Sequence, residues 1–308
     1  MIAQIGKRIF LFVLVNVLVT VTITAILAVF HVGRYLPEDG LEWLAVFCLL
    51  WGFGGAFISL AISRVTAKWF MGVRVVPPQT SDPALGELVQ TVHGLARQAG
   101  LPALPEVGIY QSADVNAFAT GPSRARALVA VSTGLLEQMR QREVQGVLGH
   151  EVTHIANGDM VTMTLIQGVV NAFVMFLSRV LAFALSQAMR SRDDDRGGGG
   201  SWLVQFLFIQ LFQVIFGILG LIVVNWFSRW REFRADAGGA RLAGRGNMID
   251  ALRALQRLYD PEAARAEAQH AQGFQSFKIS GRSTGLLALF ADHPPLAERI
   301  ARLEHGIL

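Results

Sequence analysis

A single cysteine, Cys48, excludes any disulfide within this 308-residue chain, so cysteine usage gives no sign of an oxidising compartment. Charge is scarce as well. Asp, Glu, Lys and Arg together make up 16%, against roughly 25% in an ordinary soluble domain. Hydrophobic residues supply 52%, and the mean hydropathy is +0.43. The missing charge is concentrated in nearly charge-free blocks at residues 9–30, 41–62, 160–185 and 202–227. Each block reaches the roughly 20 residues that a helix needs to cross about 30 Å of hydrocarbon. The first block is too long for the apolar core of a signal peptide, and no clear small-x-small cleavage site follows it, so it reads as a retained anchor.

A net charge of +4 and a pI near 9.7 raise the question of nucleic acid. The Lys and Arg residues, however, flank the apolar blocks and do not form one patch. The expected partner is therefore the headgroup region of a lipid bilayer, not nucleic acid. Lys7, Arg8, Arg64, Lys68 and Arg74 lie at one end of the first pair of blocks, with Glu38, Asp39 and Glu42 at the other. The positive-inside rule then puts the N-terminus and the residues after Arg64 in the cytoplasm. Arg229, Arg231 and Arg234, after the last block, agree. The acidic and glycine-rich link at 192–200 reads as a disordered turn and receives no role.

Four regions follow: a transmembrane hairpin at 1–63, a cytoplasmic catalytic region at 64–159, a second hairpin at 160–228 and a helical cytoplasmic tail at 229–308. Within 64–159, Leu85, Leu88, Val89, Val92 and Leu95 have helical spacing. Strands are predicted at 107–110, 115–120 and 127–131, and a helical stretch at 134–156, broken near Gln141. A loose stretch is expected at 271–283. There is no internal repeat. The fold class is an α+β membrane protein, with four transmembrane helices and a mainly helical soluble part that carries a small sheet.

The segment His150-Glu151-Val152-Thr153-His154 carries the chemistry. Residues four apart share a helix face, so both imidazoles can reach one cation. Glu151 can sit over the open position of such a metal, taking a proton from water and passing it to a leaving amine. Zinc suits this donor set, and it lowers the pKa of a bound water to about 7.

A catalytic zinc needs a third protein ligand. Metzincins place a glycine and a third histidine at the positions held here by Asn157 and Met160, which excludes that class. Asn157-Gly158-Asp159 separates the motif from the next apolar block, which argues against a protease that buries its motif inside a membrane span. Glu232 is the best remaining candidate, with Asp236 one turn on to accept the outer N–H of a ligand histidine. Two spans separate His154 from Glu232, so the chain returns to the same side and the ligands can meet.

The order of two apolar spans, HExxH, two more spans and Arg231-Glu232-Phe233-Arg234-Ala235-Asp236 resembles the HtpX-type membrane zinc metalloproteases, bacterial relatives of the eukaryotic CAAX-processing zinc protease. The resemblance extends to Asn116-Ala117-Phe118-Ala119-Thr120-Gly121 and to His293-Pro294-Pro295 with Arg299. It implies a gluzincin-like fold and one zinc per chain, with His150, His154 and Glu232 as ligands and Glu151 as base. It further implies endoproteolysis of damaged or misassembled membrane proteins at the bacterial inner membrane. Residues 116–121 would then be an edge strand pairing with extended substrate, or else an ordinary strand ending at Gly121-Pro122. His293, with Arg299, would stabilise the oxyanion, or else merely precede a proline-fixed helix entry. Gln167, Asn171 and Ser178 can share a face that joins helices within the membrane.

Two rival readings remain. A catalytically idle scaffold with a structural metal has no use for Glu151. A metal transporter would carry more ionisable residues inside its spans.

Overall fold

The computed structural model describes residues 41–190, 201–259 and 293–306. The first apolar block, the link at 192–200 and the loose stretch at 271–283 lie outside the described residues. The chain divides into two compact units. One includes the described residues up to Ala56 together with Ile166–Val223; the other takes Phe57–Leu165 and the chain from Val224.

Three described helices are long and apolar enough to cross a membrane: α1 (Leu41–Phe70), α5 (Asp159–Arg190) and α6 (Ser201–Ala243). Each exposes large apolar side chains along its length, including Leu50, Phe173 and Leu207. Small residues let these helices approach closely. A Cβ on Gly52 would stand 2.7 Å from the backbone nitrogen of Ala172, and one on Gly168 would meet the Phe53 ring. Such contacts join helices where no hydrophobic gain is available between them. Gln167 donates to Asn171 on its own helix at 2.8 Å, and Ser178 donates to the carbonyl of Val174.

The other unit is built on a four-stranded sheet in the order β1-β2-β4-β3. Its strands are β1 (Arg74–Val75), β2 (Glu106–Tyr110), β3 (Ala117–Ser123) and β4 (Arg126–Ser132). β2 and β4 run parallel, and the other two pairings are antiparallel. β4 reads RALVAVS and is buried from Ala127 onward, as a strand covered on both faces must be. Alternation sends Val129 and Val131 to one face and Leu128 and Ala130 to the other.

On the first face lie α2 (Pro83–Gln98), through Leu88, Val92 and Leu95, and α4 (Gln141–Asn157), through Leu148, Val152 and Ile155. Leu148 is completely buried, a side chain worth roughly 1.5–3 kcal/mol in apolar transfer. Asp82 caps α2 through its carboxylate, and Pro83 supplies the fixed φ of the first turn. Ser132 caps the short α3 (Thr133–Gln138). Beyond α4 pack α7 (Arg245–Tyr259) and, against α7, α8 (Leu296–His305). At the C-terminal end of α1, Arg64 and Lys68 both pair with Glu106 on β2, Lys68 at 2.7 Å.

The strand β3 is an edge. A register shift between Thr120 and Ser123 is built around Gly121, whose φ of +144° favours glycine and whose Cβ would collide with the Arg126 carbonyl.

Candidate metal centre

The helix α4 buries Val147, Leu148, Val152 and Ile155, which fixes its rotation and leaves His150 and His154 facing one point. Both imidazoles are buried, and their Nε2 atoms lie 3.0 Å apart. The helix α6 supplies Glu232, which is 1% exposed. Its Oε2 lies 3.3 Å from Nε2 of His150 and its Oε1 3.2 Å from Nε2 of His154.

Glycines allow this approach. A Cβ at Gly238 of α6 would stand 2.1 Å from Cγ2 of Thr153, and one at Gly239 would stand 3.0 Å from the His150 nitrogen. Gly149 on α4 similarly faces Ala243 and Gly239. Without side chains at these points α6 lies directly on α4, and Glu232 reaches the imidazoles.

The outer nitrogens are fixed too. Nδ1 of His150 donates to Asp236 at 2.9 Å, and Nδ1 of His154 donates to Asp159 at 2.6 Å. Asp236 follows Glu232 by one turn of α6. Asp159 opens α5, immediately after Gly158, whose left-handed φ of 70° ends α4 and turns the chain back. With both Nδ1 atoms protonated, both Nε2 lone pairs point inward. Two lone pairs and a carboxylate at 3.0–3.3 Å suit a shared cation. Tetrahedral bonds of about 2.0–2.1 Å to nitrogen and oxygen would separate donors by about 3.3–3.4 Å, so the three residues fit a zinc-sized ion.

The electrostatics of the cluster favour positive charge at its centre. Burial alone would lower the pKa of His150, but hydrogen bonds to Asp236 and Glu232 outweigh it and push it up to about 9. Burial would raise Glu232, yet the hydrogen bonds from His150, His154 and His293 hold it far below the usual carboxylate range. Asp236, also against its burial, is held low by Arg299 and His150.

Glu151 is half-buried beside His150. His293 comes to the same cluster from outside, its exposed imidazole placing Nδ1 3.1 Å from Oε2 of Glu232. Arg299, expected beside His293, reaches the same Glu232 Oε2 with its Nη1 at 3.6 Å, and it has a stronger contact as well. It is buried on α8 and grips Asp236 with two bonds, Nε to Oδ2 at 2.7 Å and Nη2 to Oδ1 at 2.6 Å. Asn116 immediately precedes β3; its N–H donates to the Ser132 hydroxyl at 3.0 Å, and its carbonyl accepts from the Ser132 N–H. Ala117 and Ala119 face the core shared with α4, while Phe118 turns to the opposite face against Tyr110.

The roles of Asp159 and Gly238 were not foreseen from the sequence. In the sequence Asp159 stands only in the spacer between the motif and the next apolar block. Its signal, an acid just past a helix-ending glycine, is weak alone. Gly238-Gly239 inside a helical segment was the stronger clue, because adjacent glycines are costly there unless something must come close.

The sequence matches peptidase family M48 over residues 84–307. Proteins named "Protease HtpX homolog" from Methylacidiphilum infernorum and Bacillus subtilis are 49% and 50% identical to it. Each alignment covers 97% of this chain and 98–99% of the relative. Among solved structures, the crystal structure of S. mikatae Ste24p superposes with a TM-score of 0.57 at 18% identity. That alignment covers 94% of this chain and 67% of the other, and it shows a common fold. The chain belongs to peptidase family M48 and is a metalloprotease of its HtpX group.

Proposed function

We propose that this protein is a membrane-embedded zinc endopeptidase, with one zinc per chain, that cleaves misfolded or damaged membrane proteins at the cytoplasmic face of the bacterial inner membrane. The observation that carries the reading is the buried trio of His150, His154 and Glu232, with each imidazole fixed from behind by its own carboxylate. Zinc held by these three residues supplies Lewis acidity and makes water available as a nucleophile near neutral pH.

The chain's own residues do the rest. Glu151 takes the proton lost by the attacking water and delivers it to the leaving amine nitrogen. Asp159 and Asp236 keep the imidazoles in the tautomer that turns Nε2 inward, and Arg299 holds Asp236. His293, whose imidazole lies against Glu232, donates toward the oxyanion that develops on the scissile carbonyl. An extended substrate strand adds to the open edge of β3, from Asn116 through Ala119. It is held there by backbone groups that make little demand on sequence, as clearance of unrelated damaged proteins requires.

The basic residues at the ends of the apolar segments support the cytoplasmic orientation. The apolar segments within 1–63 and 160–228 are the parts of the chain that would anchor it in the bilayer.

The test is cleavage of an unfolded membrane protein by the purified full chain in proteoliposomes. Chelation should abolish cleavage, and stoichiometric zinc should restore it. Cleavage that persists after complete removal of metal would refute the reading.

A further inference from the structure

Behind the Asp236–Arg299 pair is a cavity of about 460 Å³ whose charge is one-sided. Arg234, Arg241 and Arg302 line it, and the one carboxylate in its wall, Asp236, is already taken by the two bonds from Arg299. Arg302 lies over the Phe233 ring at 3.7 Å and shares one bond with Glu298. Arg234 lies over the Trp230 ring at 4.8 Å. Neither Arg234 nor Arg241 has a carboxylate partner among the described residues. Asn157, from the end of α4, also lines the cavity, and its Nδ2 is buried without an acceptor among the described residues. The cavity therefore offers hydrogen-bond donors and no free acceptor of matching charge.

We propose that this cavity receives the phosphate of an anionic phospholipid headgroup. Guanidinium forks pair with phosphate oxygens two bonds at a time, and the stacking on Phe233 and Trp230 holds two of the forks in place. A buried amide donor left without an acceptor is costly, and a phosphate oxygen supplies the acceptor. The lipid source follows from position. Trp230 is 51% exposed and stands three residues after Phe227, where the apolar run of α6 ends. Three residues are about 4.5 Å of helix, which puts tryptophan and arginine together at the level where charge resumes, the pairing typical of the bilayer interface. A choline headgroup carries its own cation and gains little from three arginines. The choice of lipid rests on the membrane reading proposed above. The readout is lipid retention and does not depend on proteolysis.

The experiment is native mass spectrometry of the full, zinc-loaded chain, released from detergent containing equal amounts of phosphatidylglycerol and phosphatidylcholine. The wild type should retain one phosphatidylglycerol in clear preference. At about fivefold per arginine near a membrane surface, R234Q/R241Q should retain it about thirtyfold less. The control R124Q/R126Q, at exposed positions of the β3–β4 hairpin, should leave retention unchanged. If the glutamine pair does not fold, R234K/R241K keeps the charge, loses the forks and should bind several-fold more weakly. Equal retention of the two lipids by the wild type would overturn the proposal. So would an equal loss in the hairpin control, full retention in the lysine pair, or displacement of the lipid by inorganic phosphate at matched concentration.

Discussion

His154 donates its Nδ1 proton to Asp159 across 2.6 Å, and Asp159 is the first residue of the long apolar helix α5. His150 makes the matching bond to Asp236, on the long helix α6. Each imidazole of the HExxH segment is thus held by a carboxylate on a helix that elsewhere carries a long apolar stretch.

Losing either outer carboxylate should therefore weaken metal binding without removing a ligand. Asp159→Asn and Asp236→Asn should each lower zinc affinity about 10–100-fold, with partial recovery of activity in added zinc. Competition against a chromogenic chelator measures this. Unchanged affinity in Asp159→Asn would mean that the bond to His154 does not orient it.

The glycine contact between α4 and α6 makes a second expectation. Gly238→Ala places a methyl group against the stiff, β-branched side chain of Thr153, which already donates to the Gly149 carbonyl at 2.7 Å. The helices must separate, at about 1–3 kcal/mol for such overpacking, and Glu232 moves away from the imidazoles. Thermal unfolding in detergent should show the destabilisation, and metal analysis the loss of zinc. Thr153→Ala in the same chain should restore part of both.

The clustering of His150, His154 and Glu232 was legible in the sequence because it is a helical pattern: His150 and His154 lie four apart, and so do Glu232 and Asp236. The apolar blocks from residue 41 onward foretold the three long apolar helices. Asp159 was less legible because its bond depends on the left-handed turn at Gly158, and a backbone φ is not written in side-chain spacing. Arg299 carried a family motif, but its partner could not be named until α8 was seen against α6. The two-residue strand β1 is too short to show any alternation. The sequence alone reads the Glu232 segment as a helical tail that begins after the fourth apolar block, whereas α6 is one uninterrupted helix from Ser201 to Ala243. Three of the four expected membrane helices fall among the described residues.

Glu106 offers a test by pH. Burial would raise its pKa, but the bonds from Lys68 and Arg64 lower it below the ordinary value of 4.5. A depressed carboxylate contributes stability above its unfolded pKa and loses it as the pH falls through the folded value. Glu106→Gln should therefore be less stable than wild type at pH 7, by up to about 1 kcal/mol for a partly exposed network. The two proteins should converge once the pH has fallen well below 4.5. Unfolding midpoints measured from pH 7 downward check this. A difference that stays constant with pH would trace the loss to packing and not to charge.

The central claim is that Glu151 moves protons while His150, His154 and Glu232 hold the metal. It is tested most directly by a paired measurement of zinc content and cleavage rate on wild type and Glu151→Gln. General acid–base catalysis is worth about 10²–10⁴ in rate, so Glu151→Gln should keep its zinc and its fold while cleavage of an unfolded membrane substrate falls by that factor. A Glu151→Gln chain that retains zinc and cleaves at the wild-type rate would contradict the account.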